Sequence, residues 1–239
     1  MNTTDRILGE AMTPRQKRIY KDPRTAVGWA IKHGQRFPEA EPYILKATDP
    51  GHAYGYAKEV LKGRWPEVEE AIVKDPHVAY LYAMDVIKGR WPEAEEAIAK
   101  DPRWAYRYAQ YVVKGRWPEA EEAIAKDPLN ALNYARWIIG GRFPEAEPAI
   151  ATSLPYAYEY AKDIIGGRFP EAEEAIAKNP SVAFYYAKDV IGGRFPEGEE
   201  AIANNPSVAN PHLAKSYLEL FPQAKLEWVM NGWLDWLDL

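Results

Sequence analysis

Apolar and small residues recur at helical spacing in two short segments that alternate along the chain. Between residues 64 and 89, Trp65, Val68 and Ile72 fall at i, i+3 and i+7. After a polar break, a second stripe consists of Ala79, Tyr82, Ala83, Val86 and Ile87. The two stripes predict a pair of short amphipathic helices, helix A and helix B, which bury their apolar faces in a common core.

Proline, acidic residues and glycine mark the predicted boundaries of both helices. Pro66 suits the first turn of helix A, where a missing N–H costs nothing, and the glutamates that follow complement the positive helix N-terminus. Asp75 is a good N-cap for helix B, with Pro76 at its first position. Gly89 is expected to take the left-handed conformation that ends helix B.

This helical pair is repeated. The stretch GRWPEAEEAIAKDP occupies residues 89–102 and returns unchanged at 115–128, and the Gly-Arg pair recurs every 26 residues from Gly63 to Gly193. A fixed period of this size is typical of stacked repeats. We therefore predict an all-α, right-handed α-solenoid of short helix-turn-helix repeats with modified terminal caps. The expected organisation is a flexible N-terminus at 1–12, one solenoid domain at 13–220 and a C-terminal capping helix at 221–239.

The repeated unit, GR[WF]PEAE followed by DPxxAYxYA, resembles repeats in open reading frames of bacteriophages over about residues 22 to 210. Its logic is also similar to that of tetratricopeptide repeats, although their period is about 34 residues. The phage resemblance implies a viral source, an interaction role such as a host-directed inhibitor or adaptor, and no active-site residue.

Composition narrows the class of protein further. The chain has no cysteine, which excludes disulfides and thiolate metal sites. No apolar stretch approaches the roughly 18 residues that a membrane span needs, so we expect a cytoplasmic protein, in the host cell if it is viral. Residues 1–120 carry 20 Lys and Arg against 17 Asp and Glu, and residues 121–239 carry 10 against 18. The acidic half disfavours long nucleic acids and favours a protein partner with a basic or apolar patch.

Motifs for catalysis, metals and cofactors are absent, so we expect no enzyme activity, no metal and no cofactor. The four histidines lack metal-ligand spacing, and there is no phosphate-binding glycine loop. The arginine that opens each repeat suggests either a phosphate-binding ladder or pairing with helix-A glutamates, and we favour pairing. The recurrent tyrosines of helix B suggest either base stacking or core packing, and we favour the core.

Specificity should therefore reside in the helix-B positions that vary between repeats, which are expected to face solvent on a concave surface. The middle repeats combine arginine with aromatic residues there, as interface hot spots do. The alternative is that these large residues fill a curved inner wall. The candidate partner-binding residues are Arg103, Trp104, Arg107, Tyr111, Asn133, Arg136, Trp137, Glu159, Asp163 and Tyr185.

These patterns predict a non-enzymatic protein-binding scaffold. Its anchors would be Arg107, Tyr111 and Trp137, with an acidic run of Glu159, Asp163 and Asp189 steering a basic partner. One alternative is a nucleotide or nucleic-acid binder that uses Arg103, Arg107 and Arg136. Another is a homo-oligomer that associates through the apolar segment 228–239.

Overall fold

The computed structural model describes residues 19, 21–204 and 212–233. Within those ranges the regular secondary structure is entirely helical, and the same helical pair recurs. The prediction of an all-α helical-repeat fold is therefore confirmed. The chain divides into two compact units, residues 1–120 and 121–239. The predictions for residues 1–12, and for the last six residues of the C-terminal cap, lie outside the described part of the chain.

The first unit contains helices A and B in alternation, and three of its B helices continue into a five-residue π-helical segment. These elements are α1 (Pro23–His33), α2 (Glu41–Leu45), α3 (Gly51–Tyr56) with π1 (Ala57–Leu61), α4 (Pro66–Ile72), α5 (Pro76–Tyr82) with π2 (Ala83–Ile87), α6 (Pro92–Ala99) and α7 (Pro102–Tyr108) with π3 (Ala109–Val113). The next helix, α8, runs over Pro118–Ile124.

The second unit repeats this alternation and ends in a shorter terminal helix. Two short 3₁₀ turns, Pro144–Ala146 and Pro222–Ala224, precede α10 and α16. The elements are α9 (Pro128–Tyr134) with π4 (Ala135–Ile139), α10 (Glu147–Ala151), α11 (Leu154–Tyr160) with π5 (Ala161–Ile165), α12 (Pro170–Ala177), α13 (Pro180–Tyr186) with π6 (Ala187–Ile191), α14 (Pro196–Ala203), α15 (Leu213–Leu220) and α16 (Lys225–Met230).

The helix starts follow the sequence prediction. The carboxylate of Asp75 accepts a hydrogen bond from the Val78 amide at 3.0 Å, which satisfies one of the unpaired N–H groups at the start of α5. Pro76 occupies the first turn, as predicted. Asn179 caps α13 in the same way, through the Val182 amide at 3.0 Å.

The helix ends differ from the prediction by one residue. Gly89 is not left-handed; Lys88, which precedes it, has φ 62°. The reason is the π-helical segment, which adds one residue to the last turn, so that the Gly89 amide reaches back six residues to the Ala83 carbonyl at 3.2 Å. In the first unit, lysine therefore occupies a conformation that favours glycine in three consecutive repeats, whereas the second unit has glycine there. The lysines are Lys62, Lys88 and Lys114, and the glycines are Gly140, Gly166 and Gly192.

The core consists of the residues that the repeat keeps constant. The tyrosine and the two alanines of each B helix are buried, and so is the tryptophan or phenylalanine that precedes each A helix. At the end of the second unit, the Trp228 ring stacks on Tyr217 with 5.4 Å between centroids and is fully buried. The indole of Trp228 in α16 thus covers the last tyrosine of the series in its unit.

Replacing Lys88 with glycine should stabilise the protein by about 0.5–1 kcal/mol, because glycine adopts positive φ without a Cβ clash. Urea unfolding followed by circular dichroism measures the change. The control is Gly89→Ala, where φ is not left-handed and a Cβ would meet no atom within 4 Å, so stability should stay within about 0.5 kcal/mol. A loss of stability in Lys88→Gly would contradict the assignment.

Candidate functional site

Each opening arginine whose contacts the structure describes belongs to a hydrogen-bonded relay inside its repeat. Arg90 donates to both carboxylate oxygens of Glu95, with N–O distances of 2.7 and 2.6 Å. The hydroxyl of the buried Tyr108 donates to the same carboxylate at 2.9 Å and accepts from the Trp91 backbone amide at 2.7 Å. All hydrogen-bonding capacity of the tyrosine is therefore used, and it joins helix B to the start of helix A.

The relay recurs from repeat to repeat, which explains why the arginines form a ladder. In the described pairs the arginine lies five residues before its glutamate, so its charge is neutralised locally. Pairing with a helix-A glutamate, rather than phosphate binding, accounts for these arginines, and the tyrosines are core residues. The pairs are Arg36 with Glu41, Arg64 with Glu69, Arg90 with Glu95, Arg142 with Glu147, Arg168 with Glu173, and Arg194 with Glu199.

The relay shifts the titration of both acidic partners. The hydrogen bond from Arg90 lowers the pKa of Glu95, against the opposing effect of burial. The pKa of Tyr82 is raised to about 12, chiefly by burial and also by its hydrogen bond to the Glu69 carboxylate, while the Trp65 amide opposes the change. The relay is thus most stable with the glutamate ionised and the tyrosine neutral.

In the first unit, the candidate residues on the B helices form an aromatic and basic group. Trp104 is partly buried and stacks on the His77 ring at 4.1 Å, and the Arg103 guanidinium lies 4.8 Å from the Trp104 ring centroid. Arg107 is exposed, and Tyr111 is 45% exposed. The structure therefore leaves Arg107 and Tyr111 available to a ligand, while Arg103 and Trp104 support one another.

In the second unit, the residues of the predicted acidic run accept hydrogen bonds from the preceding repeat. Arg136 donates to Glu159 at 3.2 Å and to Asp163 at 2.6 Å, and its own side chain is mostly buried. Asp189 accepts from the Tyr158 hydroxyl at 2.6 Å. These carboxylates therefore link successive B helices, while Glu159 and Asp163 keep 45% of their side chains exposed. Their role in steering a basic partner stays a prediction.

A similar link joins two B helices of the first unit, and the sequence pattern did not predict it. Asp85 accepts hydrogen bonds from Tyr54 and from Lys58, the latter at 2.9 Å, and Lys162 approaches Asp189 at 3.4 Å in the second unit. In both places the sequence has a tyrosine 31 residues before the aspartate and a lysine 27 residues before it, and this spacing is the signal that could have predicted the link. These links hold successive B helices together within each unit.

Large aromatic residues remain exposed at variable positions of the second unit. Trp137 is 63% exposed and Tyr185 is 44% exposed, and Asn133 beside them in the pattern is partly buried. Trp137 immediately follows the paired Arg136, whose two carboxylate contacts fix the adjacent backbone of π4. The unit thus presents a large indole on a supported segment.

Within the described ranges, no group of three or more His, Asp or Glu side chains could hold a metal ion. None of the helices in that part of the chain is long and apolar enough to cross a membrane. Comparison with known proteins finds no matching family model, curated protein or solved structure. Function must therefore be argued from the side chains themselves.

Tyr108→Phe should lower the free energy of unfolding by about 1–3 kcal/mol, because it leaves the Trp91 amide and a Glu95 oxygen buried with one partner fewer. Chemical unfolding measures the loss. Tyr111→Phe, at an exposed position, is the matched control and should leave stability unchanged. Equal stability of the two variants would show that the relay contributes nothing.

Alkaline pH should unfold the protein cooperatively. The pKa values of Tyr56, Tyr82 and Tyr160 are raised to about 12, chiefly by burial, whereas unfolded tyrosine titrates near 10. The stabilisation is complete below about pH 10 and is lost as the pH rises toward 12, by about 1.4 kcal/mol per pH unit for each tyrosine. Circular dichroism and tyrosinate absorbance should change together. Full ionisation of these tyrosines with helix content intact would contradict this expectation.

Proposed function

We propose that the chain is a non-enzymatic protein-binding scaffold whose B helices present the contact residues. The observation that carries the proposal is Trp137, which is 63% exposed although the tryptophan, phenylalanine and tyrosine residues kept constant by the repeat are buried. An exposed indole lowers the solubility of a protein and does not add to its core. Tryptophan is also enriched among the residues that dominate binding energy.

The exposed aromatics coincide with the places where the repeats differ. Tyr111, Trp137 and Tyr185 occupy helix-B positions that other repeats fill with other residues, such as Gly55 and Asp85. Constant positions serve the core, so the variable ones are free to serve a partner. This division supports binding as the role of the variable positions.

The support beneath the exposed residues favours recognition by a preformed surface. Arg136 is held by Glu159 and Asp163 directly before Trp137, so little order has to be gained when a partner binds. Because the acidic side chains are already paired, an apolar patch on the partner matters more than a basic one. The resemblance to phage repeats favours a host protein as the partner. The chain would bind this protein in the host cytoplasm and inhibit or redirect it.

The nucleotide-binding alternative is weaker, because two of its three arginines are engaged. Arg136 is paired with carboxylates, and Arg103 lies over Trp104, so Arg107 alone remains unengaged among the three. Self-association through the C-terminal segment concerns residues that lie partly outside the described ranges. The capture experiment described next distinguishes both alternatives from the proposal.

Trp137→Ala should reduce capture of the partner at least about tenfold while leaving the melting temperature within a few degrees, since a central exposed tryptophan commonly contributes more than 1 kcal/mol to binding. Tagged variants are compared by quantitative mass spectrometry after nuclease-treated capture from bacterial lysate.

The control is Leu45→Ala, which truncates an exposed apolar side chain on helix α2. A stoichiometric protein retained by Leu45→Ala and lost by Trp137→Ala supports the proposal. Equal capture by both variants, capture of material that nuclease removes, or recovery of the chain itself alone would overturn it.

A further inference from the structure

We propose that the first unit carries a second binding surface, a strip of three lysines that receives an extended acidic peptide segment. The strip consists of Lys62, Lys88 and Lys114, one at the end of each π-helical segment of the unit. The strip is distinct from the position of Trp137. It adjoins Tyr111, which the proposed function also uses, but the observations that support the strip are independent of that function.

The first observation is the backbone. The three lysines have φ of 53°, 62° and 60°, a region that is unfavourable for a residue with a Cβ. The turn itself does not require lysine, because Gly34, Gly140, Gly166 and Gly192 fill the same place with φ between 62° and 69°. Lysine at a helix C-terminus gains some dipole energy, yet four repeats do without it. Three consecutive repeats thus keep a cation at a place where the fold favours glycine.

The second observation is that these lysines have no carboxylate partner. All three are exposed, and none makes an ion pair with any residue that the structure describes. Other lysines of the repeat are engaged: Lys74 pairs with Glu70 at 3.1 Å, and Lys100 with Glu96 at 2.7 Å. The strip therefore carries three positive charges that no carboxylate of the described residues neutralises.

The third observation is the spacing. Segment π1 packs against π2, and π2 packs against π3, so adjacent lysines are separated by about one interhelical distance, roughly 8–10 Å. A peptide extended in the polyproline II conformation advances about 3.1 Å per residue with three residues per turn, so carboxylates three residues apart lie on the same side and about 9 Å apart. An acidic segment in this conformation, with a carboxylate at every third position, therefore matches the strip.

A cavity between two of the lysines offers room for a side chain of the peptide as well. It has a volume of about 290 Å³ and is lined by Lys88 and Lys114 together with Met84, Tyr111 and Val112. A leucine-sized side chain on the peptide, placed between two carboxylates, would enter this cavity while its neighbours pair with the lysines. Polarisable methionine and an exposed tyrosine suit such an anchor.

The test uses the full chain and a fluorescein-labelled peptide of seven residues. The peptide has glutamate at its first, fourth and seventh positions, leucine at the fifth and serine elsewhere, and binding is followed by fluorescence anisotropy. We expect saturable binding that weakens as salt is added. A peptide with the same composition but three adjacent glutamates should bind more weakly.

The decisive variant changes all three lysines to glycine. This variant should melt at a higher temperature, because the strained positions are relieved, and should bind the peptide at least about tenfold more weakly, because three charge pairs are lost together. Improved stability with impaired binding separates a functional role from a structural one. The charge-matched control, Lys74, Lys100 and Lys126 each changed to Gln, should keep the affinity within about twofold.

Two further arms locate the anchor and exclude another polyanion. Tyr111→Ala should weaken binding of the leucine peptide and leave a serine-substituted peptide unaffected, and Trp137→Ala should bind both normally. No binding of the leucine peptide, or equal binding by the triple glycine variant, would overturn the proposal. So would tighter binding of an eight-nucleotide thymidine oligomer than of the peptide, because the strip would then serve nucleic acid.

Discussion

The hydroxyl of one tyrosine per repeat holds this fold together. It accepts from the amide that precedes helix A and donates to a glutamate that an arginine clamps, so a single atom in each repeat joins helix B to the start of helix A in the same hairpin. Helices of seven or eight residues are too short to persist alone in water, and apolar burial by itself does not fix their register. The buried relay fixes the register of the helices, because its hydrogen bonds are directional and the apolar contacts are not.

Much of this architecture follows from the sequence, because repetition converts weak local signals into strong ones. Asp75 and Pro76 predicted the start of helix B correctly, and the tyrosine stripe predicted the core. The end of helix B was misplaced by one residue because a π-helical turn closes the helix, with the Lys88 and Gly89 amides both bonded to the Ala83 carbonyl, and no side-chain pattern announces such a turn. The sequence pattern alone locates the helices, whereas the geometry of the last turn depends on the backbone hydrogen bonds that end each helix.

The candidate site was predicted less completely, and the reason is again physical. Exposure of Trp137 followed from helical period, but the pairing of Arg136 with Glu159 and Asp163 depends on contact between repeats. Sequence alone therefore did not predict that these carboxylates link successive repeats. The lysines at positive φ were passed over for the same reason, since a lysine before a glycine carries no sign of its backbone conformation until the turn is seen.

The confinement of each relay to one repeat has a consequence for how such a chain can vary. Because arginine, glutamate, tyrosine and aromatic amide all come from the same stretch, a whole copy of 26 residues can be gained or lost without orphaning any member of a relay. What would change is the order of the exposed side chains. Loss of the copy that carries Trp137 would bring different residues into succession along the B helices, so the recognition properties of the chain can be altered by recombination of repeats, with the core left intact.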